Sequence, residues 1–306
     1  MKRILIALVV FVFFAGLIAY AGDNPQTNIK IAKYIIVQHV VVAEGKAPAY
    51  PGLIAQFRHA ADAIKAETYW LGASYMTGDL RQATFVIPYP SFEMLEKSMT
   101  GMEKIYIEAS RTNPAFATEV SLSELSPRGT MAKYREDLSY RPLAVPLADA
   151  KYWKITSIHI APGYRTQFAD LVKEEIAMLE KAKMEEHFVA YEVMAGLPTT
   201  GSSYFFVTNL KSLADLDVDR SEQANAIFTP LVRAHFDSAV QKMVVGIEEN
   251  ILQVRPEFSR PPEALLAANP DFWTVKEPPP VVAKTKGKKA IAIEAGNIKP
   301  KDKPVE

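Results

Sequence analysis

The chain carries two copies of one hydrophobic pattern between residues 33 and 262. Each copy opens with an apolar strand that ends in a small-residue turn, Tyr34–Val42 before Ala-Glu-Gly and Tyr152–Ile160 before Ala-Pro-Gly. In both copies apolar residues then recur at helical spacing, which predicts an amphipathic helix packed on the strand. The repetition predicts that the chain folds as two units of the same architecture.

Two further strands follow in each copy, and each third strand leads into a helix that begins at a serine. The predicted second and third strands are Tyr69–Met76 and Ala83–Pro88 in the first copy, and Phe188–Met194 and Tyr204–Thr208 in the second. Ser212 and Asp215 have the spacing of a capping box, in which each side chain satisfies a free amide at the helix start.

Longer helical segments come next, and we expect a fourth strand to close each copy. Helical spacing extends through Leu125 in the first copy and through Val244 in the second. We predict the fourth strands at 134–142 and 254–262, where each copy repeats an arginine and a serine: Arg135 with Ser139, and Arg255 with Ser259. The resulting order of strand, helix, strand, strand, helices and strand is that of a ferredoxin-like split βαβ unit.

An antiparallel sheet with helices on one face needs a cover on the other face. The second unit is the obvious cover for the first. We therefore predict an α+β fold in which two tandem ferredoxin-like repeats pack sheet to sheet and leave a lumen between them.

This layout resembles the dimeric α+β barrel superfamily, which includes antibiotic-biosynthesis-monooxygenase-like domains, NIPSNAP-like domains and haem-linked relatives. The resemblance is carried by Ala161-Pro162-Gly163, Phe168, Met194-Ala195-Gly196 and the stretch YFFVTNLKSLADLD, and more loosely by the matching turns of the first copy. It implies an intrachain dimeric α+β barrel. The activities it implies range from cofactor-free monooxygenases to haem-dependent enzymes, because a fold alone names no reaction.

Strand alternation sorts the candidate side chains by face. Ile158 and Ile160 form the wholly apolar face of their strand and are expected beneath the helices, so Ser157 and His159 face the lumen. Alignment of the glycine turns places His39 on the lumen side of the first copy, at the position of Ser157. The two histidines are therefore predicted to lie one inward-facing step apart.

The second strands are predicted to add one carboxylate and several apolar side chains to the lumen. We expect their other face, with Leu71, Tyr75, Val189 and Tyr191, to pack beneath the helices. The expected catalytic residues are His159, His39 and Glu192. The expected ligand-binding residues are Ser157, Trp70, Phe188 and Met194.

Three functions fit such a lumen. A few convergent polar groups among apolar walls are typical of a site for a small hydrophobic or aromatic ligand, and this is the function we predict. In an enzyme, a His–Glu pair could move a proton in a cofactor-independent monooxygenase-like reaction, or a histidine could ligate haem. In a structural or interaction protein, the same histidines are satisfied core residues. We expect no cofactor in the first case and haem as the cofactor of the haem-linked alternative.

The amino-acid composition limits the kinds of metal site and binding partner that the protein is expected to have. The 306 residues include no cysteine, which excludes disulfides and thiolate metal sites. The sequence also contains neither a His-x-His nor a His-Glu-x-x-His arrangement, so a dedicated metal site is disfavoured. The chain is 49% apolar, enough for a sizeable core. Its 35 basic and 35 acidic residues balance, but lysines are concentrated after residue 275. The folded part is thus mildly acidic, and we expect no nucleic-acid partner.

The ends of the chain are predicted to lie outside the fold. Lys2 and Arg3 precede an apolar run and then Ala19-Tyr20-Ala21, which predicts a signal peptide at 1–21 and an exported protein, periplasmic or secreted. The alternative is an uncleaved membrane anchor. After cleavage we expect no stable membrane insertion, and a monomer or a homodimer. The predicted boundaries are a linker at 22–32, repeats at 33–142 and 151–262, a linker at 143–150, and a disordered Lys- and Pro-rich tail at 263–306.

Overall fold

A computed structural model describes residues 30–197, 201–218, 224–225 and 227–275, all within one compact unit of the chain. The predicted signal peptide, most of the first linker and residues 276–306 of the expected tail lie outside these ranges. Among the described residues, no helix combines the length and the apolar composition that crossing a lipid bilayer requires.

The strands and helices follow the predicted order through the third strand of each copy. The strands are β1 (Tyr34–Val42), β2 (Trp70–Tyr75), β3 (Gln82–Tyr89), β4 (Glu124–Tyr134), β5 (Tyr152–Ile160), β6 (Val189–Ala195), β7 (Ser202–Leu210) and β8 (Val244–Arg260). The helices are α1 (Tyr50–Ala63), α2 (Phe92–Thr112), α3 (Phe116–Ser123), α4 (Arg165–Lys181), α5 (Pro230–Met243), α6 (Glu263–Ala268) and α7 (Pro270–Trp273). The predicted capping box at Ser212 is present at the start of a short 3-10 helix, Leu213–Leu216.

The eight strands form a closed antiparallel barrel in the order β1-β3-β2-β8-β5-β7-β6-β4. This order is unchanged when every strand number is shifted by four. β4 pairs with β1 and β6, and β8 pairs with β5 and β2, so the last strand of each four-strand half joins its own half to the other half. The molecule is therefore a mixed α+β fold with one closed barrel rather than two separate sheets.

Helices cover the outside of the barrel. Helices α1 to α3 bury apolar residues such as Leu53 and Ile105 against Ile36 and Ile87 on the outer face of β1 and β3. Helices α4 and α5 pack in the same way on β5, β6 and β7, where Ile160 is 1% exposed. Ile160 thus lies on the helix side of β5, as its wholly apolar face predicts.

The fourth strands differ from the prediction. β4 begins at Glu124 directly after α3, and β8 begins at Val244 directly after α5, whereas we expected helices through both junctions. The predicted strand at 134–142 is mostly a turn with a 3-10 helix at Glu136–Leu138, and β8 ends at Arg260. Apolar residues on either side of each junction fit both a helical stripe and a strand face, and no loop separates the helix from the strand.

The repeated serines connect the two halves at the ends of β4 and β8. Ser139 Oγ accepts a hydrogen bond from Ala190 N at 2.9 Å, and Ser259 Oγ accepts one from Gly72 N at 2.8 Å. Each hydroxyl also donates to the carbonyl four residues earlier in its own segment. The two serines therefore hold the end of one half against the second strand of the other half.

The expected tail begins later than predicted. Residues 263–275 do not form a disordered segment, because α6 and α7 pack on the barrel and bury Leu265 and Trp273. Trp273 Nε1 donates a hydrogen bond to Ala148 O at 3.0 Å, and Asn269 Nδ2 donates to the same oxygen at 3.2 Å. The Pro-Pro pair before this segment marks the end of a strand but not the end of the folded unit.

Candidate functional site

The barrel encloses a cavity of about 810 Å³. Its walls are apolar side chains from the inward faces of most of the strands, including Ile35, Val37, Leu71, Val86, Ile155, Val189, Phe205 and Val207. Cavities that hold small organic molecules are commonly about 300–1,000 Å³ and mostly apolar, so this lumen has the size and the surface of a ligand site.

A group of polar side chains lines the end of the lumen near the last residues of β1 and β5, and we call this end the polar mouth. Lys30, Lys33 and Asn209 line the cavity near the first residues of the same strands. The polar mouth consists of His39, Tyr75, Arg128, Ser157, His159, Glu248 and Asn250, all of which line the cavity. They come together because His39 and Ser157 lie on the inward faces of β1 and β5, with Arg128 opposite His39 and Glu248 opposite Ser157. The mouth thus combines hydrogen-bonding groups with charges of both signs.

His39 is held in place by two hydroxyl groups. Its Nδ1 lies 2.8 Å from Thr84 Oγ1 and 3.2 Å from Tyr75 Oη. Burial, with a smaller contribution from the positive charge of Arg128, lowers the pKa of His39 to about 4. The imidazole is therefore neutral at physiological pH, and its Nε2 has no hydrogen-bond partner within the described part of the chain.

His159 has a similar arrangement on the opposite wall. Its Nδ1 lies 2.9 Å from Ser203 Oγ on the neighbouring strand β7. On the other side, a Cβ atom at Gly246 would lie 3.3 Å from the imidazole Cδ2, so glycine leaves room for the ring there. Nε2 of His159 is again without a hydrogen-bond partner among the described residues, and both histidines have one ring nitrogen available.

Glu192 does not enter the lumen, and the prediction that it lies there is wrong. The side chain is on the outer face of β6 near α4, where it forms ion pairs with Arg165 and, at 2.6 Å, with Arg135. Burial alone would raise the pKa of Glu192, but the hydrogen bonds from both arginines outweigh it and hold the pKa below its usual value. The carboxylate therefore belongs to an ion-pair network and contacts neither histidine.

Of the three ligand-binding residues expected on the second strands, only Trp70 reaches the lumen. Met194 is 48% exposed, and Phe188 precedes β6 in an aromatic cluster outside the lumen, so neither lines it. Trp70 does touch the lumen, but its ring packs 5.5 Å from that of Phe57 and its Nε1 donates to Phe258 O at 2.9 Å. Trp70 therefore mainly fastens the barrel to α1.

A one-residue slip explains these errors. The lumen is lined by Leu71, Tyr75, Val189 and Tyr191, the set that we expected beneath the helices. β2 and β6 are largely apolar on both faces, so alternation fixes a period of two without saying which face is inward. Alternation placed the carboxylate of Glu192 in the lumen, whereas its charge is balanced by Arg135 and Arg165 outside the barrel.

Sequence reasoning missed the charged half of the polar mouth. Arg128, Glu248 and Asn250 lie on the first parts of β4 and β8, which follow the helix-to-strand junctions that the pattern did not reveal. Pro127 and Gly129 on either side of Arg128 were the available signal, because both residue types disfavour a helix interior.

Among the residues that the structure describes, no cluster of three or more His, Asp or Glu side chains is arranged to hold a metal ion. No family model matches the sequence, and no curated protein matches it. Solved structures do show similarity, and three of them are given below.

An anthrone oxidase-like protein is 18% identical with a TM-score of 0.47 over 74% of this chain and 94% of its own. A mutant chlorite dismutase from Candidatus Nitrospira defluvii is 8% identical with a TM-score of 0.43 over 80% and 99% of the two chains. A haem-binding protein from Thermus thermophilus is 9% identical with a TM-score of 0.39 over 78% and 95%. At these identities and TM-scores, the similarities carry no conclusion about what this chain binds or catalyses.

Proposed function

We propose that the protein is an exported, soluble α+β barrel protein that binds a small hydrophobic or aromatic ligand in its lumen. The observation that supports this most strongly is the cavity of about 810 Å³, with mostly apolar walls and the polar mouth. Burial of apolar ligand surface supplies affinity, while the polar groups at one end orient the ligand.

The same proposal includes a duplicated origin for the barrel, with two tandem ferredoxin-like repeats in one chain. The strand order, which a shift of four strands leaves unchanged, supports this origin. Ser139 and Ser259 support it too, because they make equivalent hydrogen bonds to Ala190 and Gly72 on the second strands.

Ligand binding is tested by blocking the middle of the lumen. The neutral fluorescent probe N-phenyl-1-naphthylamine should bind the wild-type protein with enhanced emission. Ile155→Trp places an indole into the cavity that Ile155 lines, and we expect it to weaken probe binding by at least about tenfold because the space is filled.

The matched control is Ile107→Trp, on α2, where the isoleucine side chain is 60% exposed and outside the lumen. This variant should bind the probe like the wild type, and thermal unfolding should show that both variants are folded. Because an indole can also disturb β5, Val86→Trp on β3 provides a second block. A folded wild-type protein that fails to bind the probe, or equal binding by all variants, contradicts the proposal.

A haem-linked enzyme is the second candidate, and the histidines are what favour it. A histidine that ligates haem iron uses one ring nitrogen, and a hydrogen bond usually fixes the other nitrogen. His39 and His159 fit this requirement, since hydroxyls hold Nδ1 and Nε2 has no partner among the described residues. Haem bound there would supply one-electron and oxygen chemistry, while the apolar walls would exclude water.

The absorbance spectrum of protein purified from its native source separates the two candidates. In the haem case we expect a Soret band that His39→Ala or His159→Ala abolishes. The matched control is His235→Ala, because His235 is exposed on α5 and outside the lumen. A colourless protein that carries an organic molecule, detected by mass spectrometry, supports ligand carriage instead. A Soret band that survives both lumen substitutions excludes these histidines as ligands.

A further inference from the structure

The polar mouth carries opposite charges on opposite walls. On β4, Arg128 faces His39 of β1 in the strand register. On β8, Glu248 faces Ser157 of β5. Since β1 and β5 belong to different halves of the barrel, the basic and the acidic side chain approach the mouth from two sides.

Both charged groups are available to a ligand. Arg128 and Glu248 are exposed, and within the described ranges neither makes a hydrogen bond or an ion pair, with each other or with another residue. Other arginines of β8 and of the segment after β4 are paired, as Arg255 is with Glu257 and Arg135 with Asp137. Charges left unpaired at the rim of an apolar cavity are suited to recognition.

Both charges act on the hydrogen-bonded pair of His39 and Tyr75 in the mouth. Arg128 helps to lower the pKa of His39, and Glu248 adds to the rise in the pKa of Tyr75 that burial causes. Nδ1 of His39 and Oη of Tyr75 are in turn 3.2 Å apart. A bound group at this point therefore experiences positive potential from one side and negative potential from the other.

We infer that the mouth recognises a dipolar head group, with an anionic group beside Arg128 and an ammonium or hydroxyl donor beside Glu248, while the apolar body of the ligand fills the lumen. This inference rests on the proposed ligand-binding function. A ligand with only an acid would be repelled by Glu248, and one with only an amine would be repelled by Arg128. A head group that carries both satisfies the two walls at once.

Displacement of N-phenyl-1-naphthylamine by three probes with one alkyl chain tests the inference. The probes are α-aminodecanoate, decanoate and decylamine, which are dipolar, anionic and cationic at about pH 7. We expect α-aminodecanoate to bind wild-type protein about fivefold more tightly than either of the others. The reason is that it makes one more contact with an exposed charge than decanoate or decylamine does.

Charge reversals should change this order in opposite directions. Arg128→Glu should favour decylamine over decanoate, and Glu248→Arg should favour decanoate, each by about fivefold relative to wild type. The matched controls are Arg111→Glu and Glu93→Arg, both on exposed positions of α2 outside the lumen. The controls should leave the order of the three probes unchanged.

The outcomes separate this inference from the proposed function. Without binding of the fluorescent probe, the proposed function fails and the head-group inference fails with it. Binding of the probe with equal displacement by all three compounds, or with the same order in every variant, leaves the function intact and overturns the inference. A double variant, Arg128→Glu with Glu248→Arg, should restore the preference for the dipolar probe, because both charges are again present.

Discussion

A buried carboxyl at the start of β4 is the clearest titrating group outside the lumen. Glu124 Oε1 accepts a hydrogen bond from Tyr50 Oη at 2.8 Å, while Oε2 has no partner among the described residues. Burial raises the pKa of Glu124 to about 7, although the bond from Tyr50 acts in the opposite direction. The folded protein therefore favours the protonated form of this side chain.

The stability contribution of Glu124 should fall as the pH rises. Its pKa is higher in the folded state than in the unfolded chain, so the contribution is complete below about pH 4.5 and is lost through about pH 7. We expect Glu124→Gln to remove this loss, which is on the order of 3 kcal/mol between the two limits. Urea unfolding of both proteins across this pH range measures the difference.

Glu103→Gln provides the control, because Glu103 is exposed on α2. The wild-type and control proteins should lose stability in parallel as the pH rises, and the Glu124→Gln protein should lose less. Parallel curves for all three proteins would show that the carboxyl ionises freely in the folded state.

The position of single residues was predictable only where one strand face is wholly apolar. Ile158 and Ile160 fix the outer face of β5, and His159 and Ser157 then follow into the lumen by alternation. Glu192 could not be placed in this way, because its charge is neutralised by arginines that are distant in the sequence. The ionic partners of a strand residue are set by tertiary packing, which alternation does not encode.

At the scale of elements, α7 is a short helix that is predicted to contribute much more stability than its length suggests. Trp273 is 1% exposed, packs in the cluster around Trp153 and donates a hydrogen bond to Ala148 O. Trp273→Ala should lower the free energy of unfolding by about 3–5 kcal/mol, as is usual when a buried aromatic side chain is removed.

Phe272→Ala is the matched control for this substitution, since Phe272 is half-buried in the same helix. Urea unfolding should show a clearly smaller loss for Phe272→Ala than for Trp273→Ala. Similar small losses for both variants would mean that α7 is only loosely attached to the barrel.

The elements that the sequence did not predict share one physical cause. β4 and β8 begin directly after helices, at Glu124 and Val244, without a glycine or proline turn between helix and strand. The local sequence at these junctions fits a helix and a strand equally well. Pairing with β1 and β5 then determines that the residues form strands. The charged residues of the polar mouth lie on these two strands, so they were hidden by the same ambiguity.

At the scale of the whole molecule, the order of the strands and helices was predictable from the sequence. The closure of the eight strands into one barrel was only partly predictable. Alternating strands and helical stripes predicted two similar units around a lumen, and the eight-stranded barrel agrees with that expectation. The strand pairs between the two units depend on which strands remain unpaired at the edges of each sheet. These edges exist only once the sheets have formed, so the hydrophobic pattern of the sequence does not reveal them.

The pairing of each last strand with the other half has a consequence for how the protein folds. If residues 33–142 or 151–262 folded alone, β4 or β8 would have no second neighbour, and the edge of β2 or β6 would be left open to water. The connection through 143–150 keeps the missing neighbour at high effective concentration, so docking is intramolecular and does not depend on protein concentration. The two halves should therefore gain and lose their structure together, as a single cooperative unit.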